Sequence, residues 1–127
     1  MEGKIIHLGS KEAYELFVHA EAVLLDIRNE SLQNFKQIDV PVFVLIPFEK
    51  LAEHAASLPF DKFFICADSS GIHSKEAAMI LLRAGFELAG NLAGGLVDWE
   101  RSGLPIRTNI KERLSGSCMC QLRKRNQ

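Results

Sequence analysis

Three short, almost unbroken apolar runs constrain this chain most: "AVLLDI" (22–27), "VPVFVLI" (40–46) and "KFFIC" (62–66). A strand with one wet face alternates apolar and polar residues. A strand apolar at nearly every position is covered on both faces, as in a parallel sheet. Parallel neighbours need crossover connections, and helical patterns lie between the runs. "SKEAYELFVHA" sets Ala13, Leu16, Phe17 and Ala20 at helical spacing, with Ser10 placed to cap the helix. "NESLQNF" predicts a turn and short helix, and "FEKLAEHAASL" another short helix. "SKEAAMILLRAG" predicts a long helix, with Arg83 in its last turn and Gly85 just past its end. "KIIHL" and "FELAG" add two short strands, and "GGLVDWERSG" a Gly turn and a final short helix. The alternation predicts an α/β fold: a small, mostly parallel sheet of about five strands with helices on both faces.

A chain of 127 residues, 47% hydrophobic and 24% charged, suits one soluble domain able to bury its own core. Its apolar runs are too short to cross a bilayer. The start, "MEGKIIHLGSKEAYEL", lacks the basic and apolar regions of a signal peptide. Three cysteines are no disulfide framework, so the expectation is a cytoplasmic protein with reduced thiols. The net charge of −1 is unevenly spread. From residue 107 onward Arg107, Lys111, Arg113, Arg123, Lys124 and Arg125 face Glu112 alone, so that stretch is near +5 and the rest near −6. The domain is therefore drawn over residues 1–106, with a basic tail over 107–127. The tail reads as a solvated terminus or as a docking arm for an acidic partner. It is too short and too poor in aromatics to argue for nucleic acid.

Open parallel sheets place their chemistry at the carboxyl ends of the strands. Cys66 ends the run "KFFIC", and Ala67, Asp68, Ser69, Ser70, Gly71, Ile72 and His73 follow it before a helix near Ser74. Small residues let a loop turn successive N–H groups inward, and such a nest at a helix N-terminus favours an anion. A thiolate there would be stabilised and reactive, with His73 adding positive charge when protonated and Asp68 opposing ionisation. The competing reading makes Cys66 a buried structural cysteine. On position alone the two stand level.

Four segments resemble the single-domain rhodanese family of sulfurtransferases, over roughly Ile5 to Ile106. "LLDIRNE" (24–30) is similar to the family's "LLDVRxxxE", and "IPFEKL" (46–51) to "IPxxxL". "ICADSSGIHSKEAAMILLRAGF" (65–86) resembles the active-site loop and helix, "YCxxGxRSxxAAxxLxxxGF". "LAGGLVDWERSGLPI" (92–106) resembles "LxGGxxxWxxxGxP", matching at Gly94, Gly95, Trp99, Gly103 and Pro105. The resemblance implies a sulfurtransferase that takes a sulfane sulfur from thiosulfate or a polysulfide. Cys66 would hold it as a persulfide, and an acceptor thiol, cyanide or protein would receive it. It implies that the amides of residues 67–73 stabilise the persulfide, and that Asp26 and Arg28 support the fold and loop. The partners implied are a small sulfur donor and a thiol acceptor or acceptor protein, with no nucleic acid, membrane, metal or cofactor.

Two departures keep a second reading open. Counted from Cys66, six residues instead of four precede His73, and His73 stands where the family has arginine. An enlarged loop is also a phosphatase feature, but histidine lacks the forked donors that bind an oxyanion there. "KQIDVPVFVLIP" (36–47) lacks the Gly-His and Gly-Ala pairs of the family's "GHIPGAxxIP". The alternative is a weakly active or non-catalytic rhodanese-like module that carries sulfur or binds a protein. Beyond the domain, Cys118 and Cys120 form a C-x-C pair that reads as inert thiols or as a sulfur or redox relay. A metal site would need about four ligands, and the chain offers no complementary motif. His7, His19 and His54 are scattered and read as surface or capping residues, and Trp99 as a core anchor.

Overall fold

A computed structural model describes residues 3–108. In chain order the strands are β1 (Lys4–Leu8), β2 (Val23–Asp26), β3 (Lys36–Ile38), β4 (Phe43–Leu45), β5 (Phe64–Ala67), β6 (Leu88–Leu92) and β7 (Ile106–Thr108). The helices are α1 (Ser10–Val18), α2 (Glu30–Phe35), α3 (Phe48–His54), α4 (Ser74–Arg83) and α5 (Gly95–Arg101), with a 3₁₀ turn at Ala55–Ser57. Five strands form the main sheet in the order β1-β6-β5-β2-β4, all parallel. β5 lies at its centre, with Cys66 between Leu25 of β2 and Asn91 of β6.

The apolar runs fill both faces of this sheet. Leu24, Ile65 and Ala67 pack into one layer with Ala13 and Phe17 of α1 and Leu96 and Trp99 of α5. Val23, Leu25, Phe64 and Cys66 pack into the other with Leu51 of α3 and Ala77, Ala78 and Leu81 of α4. Side chains alternate along a strand, so a run buried on both faces has to be apolar throughout. Trp99 is fully buried against Tyr14 and Phe17, and its indole N–H donates to the Pro105 carbonyl at 2.8 Å. It pins the last helix, as expected of a core anchor.

Three local expectations shift. Gly9, not Ser10, sits at the N-cap of α1; Ser10 is buried inside the first turn, where its hydroxyl donates to Asp98 of α5 at 2.8 Å. The run "VPVFVLI" narrows to three half-buried residues at the sheet edge, because only β2 borders β4. A separate antiparallel ribbon pairs β3 with β7. Its Lys36↔Thr108, Gln37↔Arg107 and Ile38↔Ile106 register places Arg107 in a strand.

Candidate functional site

The loop between β5 and α4 lies at the carboxyl end of the central strand, where the alternation of elements led it to be expected. The helical stretch after it begins at Ser74, with His73 as N-cap. From below, α5 holds the loop through its first amides: Leu96 N–H donates to the Asp68 carbonyl at 2.9 Å and Val97 N–H to that of Ser69 at 3.0 Å. This approach requires Gly95. Its φ is +61°, and a Cβ there would lie 2.5 Å from the Asp68 carbonyl oxygen and 2.6 Å from that of Ser69.

The loop's turned-in amides find an anion, and it is the loop's own. The Asp68 carboxylate accepts the backbone N–H of Gly71 through Oδ1, and that of His73 through Oδ2 at 2.7 Å. Gly71 reaches this geometry with φ at +96°. The His73 imidazole lies 3.8 Å from the same carboxylate, is 56% exposed, and packs against the Phe48 ring at 5.1 Å between centroids. Ser74 is buried, and its hydroxyl donates to the Asn91 side-chain carbonyl; Asn91 in turn bonds His7 Nδ1 at 2.9 Å. Ser69 and Gly71 are half-buried, while Ser70 and Ile72 are exposed, Ile72 at the tip by 72%.

Cys66 is elsewhere. It is an interior residue of β5, fully buried in the layer beneath α3 and α4, and Ala67 behind it is still in the strand. Burial pushes its thiol far above the ordinary range. The expectation of a stabilised thiolate at residue 66 thus meets a neutral thiol in an apolar core.

The reason is one of register. Set on Gly71, Ser74, Ala77, Ala78, Leu81, Gly85 and Phe86, the pattern "YCxxGxRSxxAAxxLxxxGF" fits without any insertion. It then places its cysteine at Asp68 and its arginine at His73. Counted from Asp68, four residues precede His73, the family length; counted from Cys66, six do. In that register Asp68, which the sequence reading placed within the loop, stands at the pattern's cysteine position, and the downstream glycine, serine and alanines are the signal for it.

Asp26 and Arg28 form a buried pair at the end of β2. The guanidinium donates to the carboxylate in two bonds, at 3.0 and 2.7 Å, and to the Lys36 carbonyl at 2.6 Å. Gln33 adds a bond to the Asp26 carbonyl at 3.1 Å. Together they fasten the end of β2 to the β3–β7 ribbon. Cys118 and Cys120 lie outside the described residues. Among the described residues, no group of three or more His, Cys, Asp and Glu side chains is arranged to hold a metal ion, and no helix is long and apolar enough to cross a membrane.

Comparisons with known proteins agree on the fold. A sulfurtransferase of Allochromatium vinosum is 29% identical over 86 residues, covering 68% of this chain and 78% of its own. The thiosulfate sulfurtransferase GlpE of Actinobacillus pleuropneumoniae is 28% identical over 108 residues, covering 85% and 98%. Among solved structures, the rhodanese-like domain of an Anabaena protein superposes with a TM-score of 0.72 at 23% identity, covering 87% of this chain and 85% of that one. A rhodanese-related protein of Thermoplasma volcanium gives 0.71 at 22% identity, covering 82% and 99%. A family model, the rhodanese-like domain, matches residues 10–102, and with that match across most of its length the chain belongs to the rhodanese-like domain family.

Proposed function

We propose that this chain is a rhodanese-like binding module that does not run a persulfide cycle on Cys66. One observation carries the reading: two amides of the loop, those of Gly71 and His73, are taken by the Asp68 carboxylate, at the position where the family pattern has its cysteine. A carboxylate already holding two charge-assisted hydrogen bonds leaves those donors unavailable to a sulfane sulfur. It is also a poor acceptor for sulfur, and its charge repels an anionic donor such as thiosulfate. The only thiol among the described residues is sealed in the core. A thiolate is the attacking form, and burial disfavours it at residue 66.

The second reading is a working sulfurtransferase, favoured by the names of the relatives at 28–29% identity. Peptide mass spectrometry separates the two. The reduced protein is mixed with thiosulfate, then with polysulfide, beside Cys66→Ser and Asp68→Cys. The binding-module reading expects no added sulfur on the Cys66 peptide, and a new persulfide on residue 68 in Asp68→Cys, where the freed amides surround a thiol. Added sulfur on Cys66 that disappears in Cys66→Ser would establish the sulfurtransferase instead.

A further inference from the structure

The strand β4 leaves one edge of the main sheet open: β2 is its only neighbour among the described residues. The Val42 carbonyl accepts the Leu24 N–H at 3.2 Å, and the Ile46 N–H donates to the Asp26 carbonyl at 3.0 Å. Backbone groups alternate in direction along a strand. The N–H and C=O of Phe43 and Leu45 therefore point away from β2. Pro41 and Pro47, which have no N–H to offer, bound this stretch on either side. So short a template guards against edge-to-edge pairing of copies. Beside the edge, between β4 and α3, lies a pocket of about 390 Å³. Its apolar lining is Leu45, Ile46, Pro47 and Leu58; its polar lining is Lys50, His54 and Ser57, with no carboxylate. Lys50 and His54 stand four residues apart on α3, so they share a face, and both are exposed. Among the described residues neither makes an ion pair. Glu49 and Glu53 of the same helix do not line the pocket.

We propose that this edge and pocket bind an extended segment of a partner protein that carries an apolar residue and, two positions away, an aspartate or glutamate. Added to β4 as a strand, the segment exchanges hydrogen bonds with the outward N–H and C=O groups of Phe43 and Leu45. Its side chains two positions apart face the same side of the sheet. The apolar one enters the pocket, and the carboxylate meets the Lys50 ammonium and a ring N–H of His54. The backbone bonds supply affinity without regard to sequence, and the pocket supplies the choice of sequence. An acid is chosen because the charged and titratable lining of the pocket is Lys50 and His54, with nothing of opposite sign to satisfy them there. The inference goes beyond the binding-module reading and does not rest on it: a sulfurtransferase with this edge would take the same segment.

The full chain is screened against a displayed library of random peptides, and the retained sequences are resynthesised with capped ends. They should share the apolar and acidic residues two positions apart, and bind Lys50→Glu more weakly by about tenfold or more. Retained peptides that lack the acid, undiminished binding to Lys50→Glu, or a library from which nothing is retained would each overturn the proposal. Hydrogen exchange on the native chain then reads the edge. The Phe43 and Leu45 amides should exchange freely in the free chain and gain severalfold protection when the peptide is added. Leu45→Pro removes one outward N–H, leaves the β2 ladder its own bonds, and should abolish binding; if that variant does not fold, the exchange measurement decides alone. A peptide that binds while both amides stay unprotected is a ligand of the pocket only, and strand addition is then wrong. Protection present before any peptide is added means that the edge is already occupied, by the chain itself if independent of protein concentration and by a second copy if not, and either result overturns the proposal.

Discussion

Burial disfavours the charged form of the Cys66 thiol inside the fold, and that has a measurable cost in alkali. In an unfolded chain a thiol releases its proton near pH 8.5. In the folded chain burial keeps it bound well above that. Above about pH 8.5 the unfolded state therefore holds fewer protons than the folded one, and stability falls as pH rises, by at most about 1.4 kcal/mol per pH unit from this group. Below that pH both states keep the proton and the group adds no slope. Urea melts at pH values on either side should show the decline in the native chain and a smaller one in Cys66→Ala; parallel declines would mean that Cys66 ionises freely in the fold. The same residue explains why two registers compete. A lone cysteine at the end of an apolar run looks like a strand terminus, but Ala67 extends the strand by one more residue. Only the anchors downstream, Gly71 and Ser74 first, carry the register that sets Asp68 at the pattern's cysteine.

At the scale of elements, the loop owes its shape to α5 as much as to its own sequence. The pair Gly94-Gly95 was legible as a motif, and the structure supplies its physical meaning. Gly95 lets two backbone carbonyls of the loop come close enough to accept the Leu96 and Val97 amides. In Gly95→Ala the new methyl would overlap backbone oxygens that no rotamer change can move, at a positive φ that already disfavours alanine. A loss of about 2 kcal/mol or more is expected. Hydrogen exchange should locate it, with the Leu96 and Val97 amides losing protection while the core of β5 keeps its own. Unchanged protection at those two amides would mean that the loop stands without α5. The long helix, the sheet strands and the final helix could all be read from apolar periodicity and turn residues. The β3–β7 ribbon could not. Its strands are three residues long, and one of them, "KQI", is mostly polar. It pairs with residues about 70 positions away, and no local pattern records such a partnership.

Across the whole molecule, a polar seam joins the parallel sheet to that ribbon. Asp26 ends β2, Arg28 bridges it to the Lys36 carbonyl of β3, and Gln37 of β3 receives Arg107 of β7 at 2.6 Å. Asp26 and Arg28 are both buried, with side chains 4% and 5% exposed. Each charge is tolerable there only because the other is present. The similarity of "LLDIRNE" to its family segment located the pair, but its joining role depends on a ribbon the sequence did not disclose. Arg28→Met should thus act at a distance. It strands the Asp26 carboxylate in the interior and removes the Lys36 carbonyl's donor, for an expected loss of about 3–5 kcal/mol. Asp26→Leu combined with Arg28→Met removes both charges and should recover much of that loss, because an apolar pair carries no desolvation penalty. The ribbon would nonetheless stay loosened in the double variant, with faster exchange at Lys36 and Ile38, since the Lys36 carbonyl still lacks its guanidinium. Denaturant midpoints and exchange rates on the single and double variants separate the two effects. A double variant as unstable as Arg28→Met would show that the hydrogen bond to β3, and not the buried charge, holds the seam together.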